Sequence, residues 1–215
     1  MLEKSGVIEE VFDVAYKWLG RIPGGLAVAT VVASTVLAAM VGVIGAAVVT
    51  MALVALPSML RRGYSPVLAV GTVMAGGTLG ILIPPSVLAI VYGLVANQSV
   101  GELYLGSVFP GLVLSGLYIL FSVGYALLNP KAAPRLSPEE TPTWSERWRA
   151  LRSIWSPLVL IFLVLGTIFL GLAAPTEAAA IGAFGAMVVA AIHRRLSWTI
   201  LRLALEQTAK ATAMV

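Results

Sequence analysis

The 215-residue chain is 59% hydrophobic and only 11% charged, with a mean hydropathy of +0.96 and a formal net charge of +4. Soluble domains carry roughly 25% charged residues, so this composition excludes an ordinary soluble domain and marks an integral membrane protein seated in a lipid bilayer. The chain has no cysteine, which removes disulfides, thiolate metal sites and cysteine nucleophiles, and its basic residues flank apolar runs instead of forming a patch, so no nucleic acid partner is expected.

The opening stretch MLEKSGVIEEVFDVAYKWLG is amphipathic and mixed in charge, with no apolar core segment or cleavage site, and no secretory signal is expected there. Ile8, Val11, Phe12, Ala15 and Leu19 recur at helical spacing, while Glu9, Asp13 and Lys17 take the other face. This predicts a helix over residues 5–20, ended by Pro23 and the glycines after it. It either lies on the membrane surface or packs as a short helix of a larger bundle.

Residues 24–60 form an apolar tract without a charge. As one helix it would span about 55 Å, nearly twice the roughly 30 Å of a hydrocarbon core, so the tract must fold back. Gly42 and Gly45, within MVGVIGAA, supply the only evident turn chemistry. A turn reaching water is normally polar and this one is not. The sequence therefore predicts two half-length helices meeting in a re-entrant hairpin at membrane depth, which a bilayer tolerates only where the turn is buried in protein or lines a cavity.

After Arg61 and Arg62 comes a second apolar tract, residues 65–96, interrupted by GGTLGILIPPS (Gly76 to Ser86). A third span is predicted over 109–128. Residues 129–156 are hydrophilic, Pro-rich at first and then basic and tryptophan-bearing, a composition suited to an interfacial arm. Spans at 157–173 and 178–192 follow, joined by APTE, and an amphipathic tail places Arg202, Glu206 and Lys210 on one face. The chain thus divides into 1–128, 129–156 and 157–215. If the first tract returns to its starting side, residues 1–23, 61–64, 129–156 and 193–202 share one side and hold every Lys and Arg except Lys210. Residues 97–107 and 174–177, opposite, hold none. The positive-inside rule then places the N-terminus in the cytoplasm; two short full crossings would give the same parity.

A hairpin tip followed by a broken crossing helix is the recurring device of secondary transporters: carbonyls freed at one half-helix end suit a cation, and N–H groups at the other face an anion. Gly76, Gly77 and Gly80 are expected to let the backbone unwind, Pro84 and Pro85 to stop the first half and start the second, and Thr78 and Ser86 to add hydroxyl ligands. The competing reading of the same residues is a packing kink. GVIGAA is a fragment of a dinucleotide fingerprint, but no acidic residue follows it at the required distance. Glu177, the one acid inside an apolar stretch, is expected to start a helix with Thr176 as its N-cap, with ion ligation as the alternative. His193 is expected at the interface beside Arg194 and Arg195. No Ser/His/Asp or paired-carboxylate arrangement is discernible, and no enzyme is expected.

GGTLGILIPPS, ANQSVGELYLGSVFPGLV (Ala96 to Val113), APTEAAAIGAFGA (Ala174 to Ala186) and RRGYSP (Arg61 to Pro66) together resemble the large membrane subunit of tripartite ATP-independent periplasmic (TRAP) transporters, the DctM type. The resemblance implies an all-α elevator-type permease built from inverted repeats. Such a permease is a sodium-coupled importer of carboxylate solutes, C4-dicarboxylates among them, in a bacterial inner membrane. It implies a periplasmic solute-binding protein and a small membrane subunit as partners, and sodium as coupling ion with no other cofactor. Carried onto this chain, the family's sodium site falls on Gly42 to Gly45 and Gly76 to Ser86. Many members have serines at the hairpin tip, where this chain has Val41, Val43 and Ile44, so ligation passes to backbone carbonyls with Thr50 nearby. The family is about twice this long, and no second PP break is present in this sequence. A partial chain is expected, either a fragment or the product of a truncated or split gene, that does not transport alone. The alternatives are another ion-coupled elevator symporter without a binding protein, and a non-transporting membrane remnant.

Overall fold

The computed structural model describes residues 6–134, 143–151, 154–192 and 196–214, and these are helical throughout apart from short turns. Residues 135–142 of the linker, and His193, Arg194 and Arg195, lie outside the described residues. Helix α1 (Val7–Leu19) buries Val7, Ile8, Val11, Phe12, Val14 and Ala15, packing chiefly against α2 (Gly25–Val41). Of the two placements open to it, the packed one holds: protein, not lipid, covers its apolar face. On the polar face Lys17 Nζ meets Asp13 Oδ2 at 2.6 Å, one turn apart.

Helix α2 is the centre of the molecule. It is buried along most of its length and touches α1, α3 (Ile44–Arg61), α4 (Pro66–Leu82) and α6 (Val100–Leu128). The turn between α2 and α3 is two residues long. Gly42 takes φ 66°, a left-handed C-cap that a residue without Cβ adopts freely, and its N–H donates to the Ala38 carbonyl at 3.2 Å. The arms are the half-length helices expected of the 24–60 tract: at 17 and 18 residues each runs about 26 Å, matching the 17 residues of α4 that both pack on.

Apolar burial provides no drive between helices inside a bilayer, so close packing of small residues must hold them. The faces of α2, α3 and α4 meet that need. A Cβ on Gly76 would collide with the Ser34 hydroxyl of α2, and one on Gly77 with the Val48 side chain of α3. This corrects one expectation: Gly76, Gly77 and Gly80 do not unwind, because α4 stays helical to Leu82 and uses Gly76 and Gly77 to bring its neighbours close. The break spans only Ile83 to Ser86, with a cis bond between Pro84 and Pro85, after which α5 (Val87–Ala96) resumes.

Helix α6 begins at Val100, nine residues before the predicted third span, because Ser99 Oγ caps it by accepting from the Glu102 N–H at 3.4 Å. It then runs unbroken for 29 residues, Pro110 included. At its far end the basic loop between α3 and α4 ties the bundle together. Ser65 N–H donates to the Ala132 carbonyl at 2.9 Å, Arg62 lies over the Tyr16 ring at 4.8 Å, and the Leu26 N–H at the start of α2 donates to Tyr64 Oη at 3.2 Å. Burial pushes the Tyr64 phenol above its ordinary pKa, so it remains a neutral hydroxyl there.

The interfacial arm is a short amphipathic helix, α7 (Trp144–Leu151), resting on α1. Helices α8 (Trp155–Phe169) and α9 (Pro175–Ile192) pack on each other and reach the first body through α8, which touches α2 and α6, and through Ala178 and Val189 of α9, which join its buried clusters; α10 (Trp198–Met214) follows. Pro175 is the first helical residue of α9, so the cap falls at Ala174 and not at Thr176. Glu177 reaches back to accept from the Ala174 N–H at 2.9 Å, half of a capping box, in keeping with helix initiation.

Candidate functional site

The α2–α3 turn and the α4–α5 break lie at one level and touch. The Val87 N–H donates to the Gly42 carbonyl at 3.3 Å, and a Cβ on Gly42 would strike the Pro85 carbonyl. Beside them, a Cβ on Gly80 would stand 3.6 Å from the Val43 carbonyl carbon. Four helix ends therefore meet: the C-termini of α2 and α4 and the N-termini of α3 and α5. Each C-terminus carries about half a negative charge and each N-terminus about half a positive one.

Chemistry at the ends is unequal. A helix carbonyl normally accepts from the N–H four residues on. For Gly80 and Ile81 those residues are Pro84 and Pro85, which have none. Among the described residues no hydrogen bond reaches the carbonyls of Gly80, Ile81 and Leu82 at the end of α4, or of Ala39, Met40 and Val41 at the end of α2. Six unserved carbonyl oxygens at two negative helix ends make a hard-oxygen environment, which suits an alkali cation. The N-terminus of α5 is already occupied, its Val87 N–H by Gly42 and its Ala89 N–H by Ser86 Oγ at 3.5 Å. That of α3 is not: Val43 is its N-cap and offers no side-chain oxygen, and Gly45 in its first turn is exposed with open space where a Cβ would stand. Bare N–H groups at a helix start are a ready anion site.

The structure thus brings together Gly42, Gly45, Gly80, Pro84, Pro85 and Ser86 of the residues singled out from sequence. Gly76 and Gly77 sit a turn or more below, as packing positions. Thr78 does not join the cluster: it faces α6, its hydroxyl donating to the Ala75 carbonyl at 2.7 Å and paired with Tyr118 Oη at 3.2 Å. Thr50 is buried in α3 seven residues, about 10 Å, below Val43, and stands clear of the freed carbonyls. Two residues were missed. Tyr104, 1% exposed, donates its hydroxyl to the Ser86 carbonyl at 3.2 Å and so braces the break from α6. Ser34 is fully buried against Gly76, and its hydroxyl has no hydrogen-bond partner. Tyr104 lay within a recognised motif but gave no sign of its distant partner.

Next to the break a cavity of about 410 Å³ opens between the hairpin and the α8–α9 pair. Met40, Val41 and Pro85 line one side, Val164 and Gly182 the other, and no Lys or Arg reaches it among the described residues.

Comparison with known proteins fits this arrangement. The family model for the tripartite ATP-independent periplasmic transporter, DctM component, matches residues 1–215. The C4-dicarboxylate TRAP transporter large permease protein DctM of Pseudomonas aeruginosa is 36% identical over 98% of this chain and 48% of its own length. Its namesake in Vibrio cholerae is 36% identical over 88% of this chain and 41% of its own length. The ectoine TRAP transporter large permease protein TeaC of Halomonas elongata is 32% identical over 79% and 39%. The chain spans about half the length of the curated relatives it matches. With its helices long and apolar enough to cross a bilayer, it is a multi-pass membrane protein and belongs to the DctM family of TRAP transporter large permeases.

Proposed function

We propose that this chain forms the sodium-binding half-site of a TRAP permease that imports organic anions. The observation that carries the reading is the meeting of the α2–α3 turn with the α4–α5 break, where two helix C-termini offer carbonyls that no N–H serves. Sodium binds those oxygens. The bare N-terminus of α3, with Gly45 at its surface, faces the carboxylate of the solute, and the adjoining cavity is part of its path.

The hairpin is re-entrant in this reading. Its turn stands level with the break, whereas α5 carries the chain ten residues, about 15 Å, further along the same span. The N-terminus is cytoplasmic and the membrane is the bacterial inner membrane, in keeping with the basic residues gathered at the α3–α4 loop end. Movement is of the elevator kind, with a second repeat completing the solute site. A small membrane subunit and a periplasmic solute-binding protein are the partners. Relatives are named for C4-dicarboxylates and for ectoine, solutes that share a carboxylate, and a carboxylate is the group the α3 N-terminus suits.

Uptake of radiolabelled succinate by proteoliposomes holding the full-length permease, its small subunit and the binding protein tests this. Uptake that requires both an inward sodium gradient and the binding protein is expected. Uptake undiminished when choline replaces sodium refutes the assignment, and uptake without the binding protein favours a receptor-independent symporter.

A further inference from the structure

Helix α7 carries a buried charge outside the transport site. Arg147 is 9% exposed, and its Nε and Nη2 find no hydrogen-bond partner. A guanidinium stays charged in any protein environment, and burying it without acceptors is costly. The Trp144 ring lies 5.4 Å from its Cζ, a cation–π contact that attracts the charge but accepts no N–H in the ring plane. Trp18 of α1 donates its indole N–H to the Arg147 carbonyl at 3.3 Å, and its ring stands 5.7 Å from that of Trp144 and 5.9 Å from that of Trp148. Trp144 and Trp148 beside it are themselves mostly exposed, so the indoles of this cluster are open to their surroundings while the guanidinium is not.

Asp13 is engaged by Lys17 at 2.6 Å, and Glu146 accepts from the Thr143 N–H at 2.8 Å. Lys17 and Arg149 stand close enough to Glu146 to stabilise its charge, so positive groups surround the cluster as well. Clustered indoles beside the start of an apolar helix, here α8, are the amphipathic rings that settle at lipid headgroup depth. We propose that Arg147, with Trp18, Trp144 and Trp148, binds the phosphodiester of an anionic phospholipid in the leaflet next to α1 and α7. The planar fork of the guanidinium matches two phosphate oxygens, and the indoles pack on the glycerol and upper acyl region. A free phosphate would satisfy the arginine but leave the indoles facing water; a lipid serves both.

Native mass spectrometry of the full-length protein in neutral detergent, titrated with dioleoylphosphatidylglycerol or dioleoylphosphatidylcholine, tests the site. Wild type is expected to hold one phosphatidylglycerol about tenfold more tightly than phosphatidylcholine, whose identical phosphodiester is already neutralised by its own trimethylammonium cation and gains less from the guanidinium. Arg147→Gln is expected to abolish that preference, Arg147→Lys to keep part of it, and Arg149→Gln on the exposed face to leave it intact. Equal affinity of wild type for the two lipids overturns the proposal without recourse to any variant. So does an equal loss in Arg149→Gln, which would mean diffuse attraction to a basic surface. Glycerol 1-phosphate competing at the same concentration as the lipid would assign the arginine to a soluble phosphate and overturn the lipid.

Discussion

The α4–α5 segment and α6 are apolar spans of nearly equal length, 31 and 29 residues, and both contain proline well inside. One breaks and the other does not. In α6, Pro110 withholds a single donor, from the carbonyl of Gly106, which is exposed with nothing packed against it; the bonds on either side carry the helix through. In α4–α5, Pro84 and Pro85 withhold two successive donors, and Ile83 is pushed to extended backbone at φ −84° and ψ 121°, as a residue before proline prefers. The ends so created are not left to lipid. Gly42 bonds the start of α5, Val43 approaches Gly80, and Tyr104 holds the Ser86 carbonyl. Proline alone thus does not break a span; here two adjacent prolines do, and a second irregular turn docks on the ends they leave.

Breaking the docking should have the largest effect. Gly42→Ala places a Cβ on a residue at φ 66° and drives it into the Pro85 carbonyl, so a loss of about 3 kcal/mol or more and near-complete loss of sodium-driven uptake are expected, read by thermal unfolding and transport. Gly77→Ala, which meets Val48, should cost about 1–3 kcal/mol by overpacking. Gly71→Ala in the same helix meets nothing and should be neutral or up to about 1 kcal/mol stabilising. Equal effects at the two glycines would refute the small-residue packing of α3 on α4. Tyr104→Phe removes one hydrogen bond to the break and should cost about 1 kcal/mol while weakening apparent sodium affinity. Pro110→Ala should leave sodium affinity unchanged and, if anything, raise thermal stability. The smallest effect is a pH dependence at α7. The Glu146 carboxyl is held below its ordinary range, first by the Thr143 backbone N–H and then by the Thr143 hydroxyl. Its support of the α7 start is therefore fully present above the usual carboxylate pKa and is lost as pH falls through the lowered one. Amide exchange over residues 144–147 should quicken only in acid, and in Glu146→Gln at neutral pH as well.

The sequence made the two irregular turns legible for local reasons: Pro84 and Pro85 have no N–H to give, and a charge-free tract too long to cross once must turn where Gly42 permits it. The start of α6 was not read: Ser99 and Glu102 stand at capping-box spacing, but the polarity of residues 97–102 disguised them as loop. The role of Gly76 and Gly77 was not legible either, because glycine serves both unwinding and close approach, and only the positions of Ser34 and Val48 decide between them. The departure of Thr78 from the site and the arrival of Tyr104 are likewise products of helix rotation about α4 and α6, which no local pattern encodes.

The central claim is that the carbonyls at the docked turn and break bind sodium. Thermal unfolding of the full-length permease, titrated with sodium chloride against choline chloride at constant ionic strength, tests it most directly in wild type and in the Pro84→Ala/Pro85→Ala double variant. An ion that binds only the folded state raises stability with the logarithm of its concentration above its dissociation constant. The account predicts a sodium-specific rise in wild type that is clearly reduced in the double variant, whose restored N–H groups would occupy the Gly80 and Ile81 carbonyls. A rise of the same size in both proteins, or none in wild type, would contradict it.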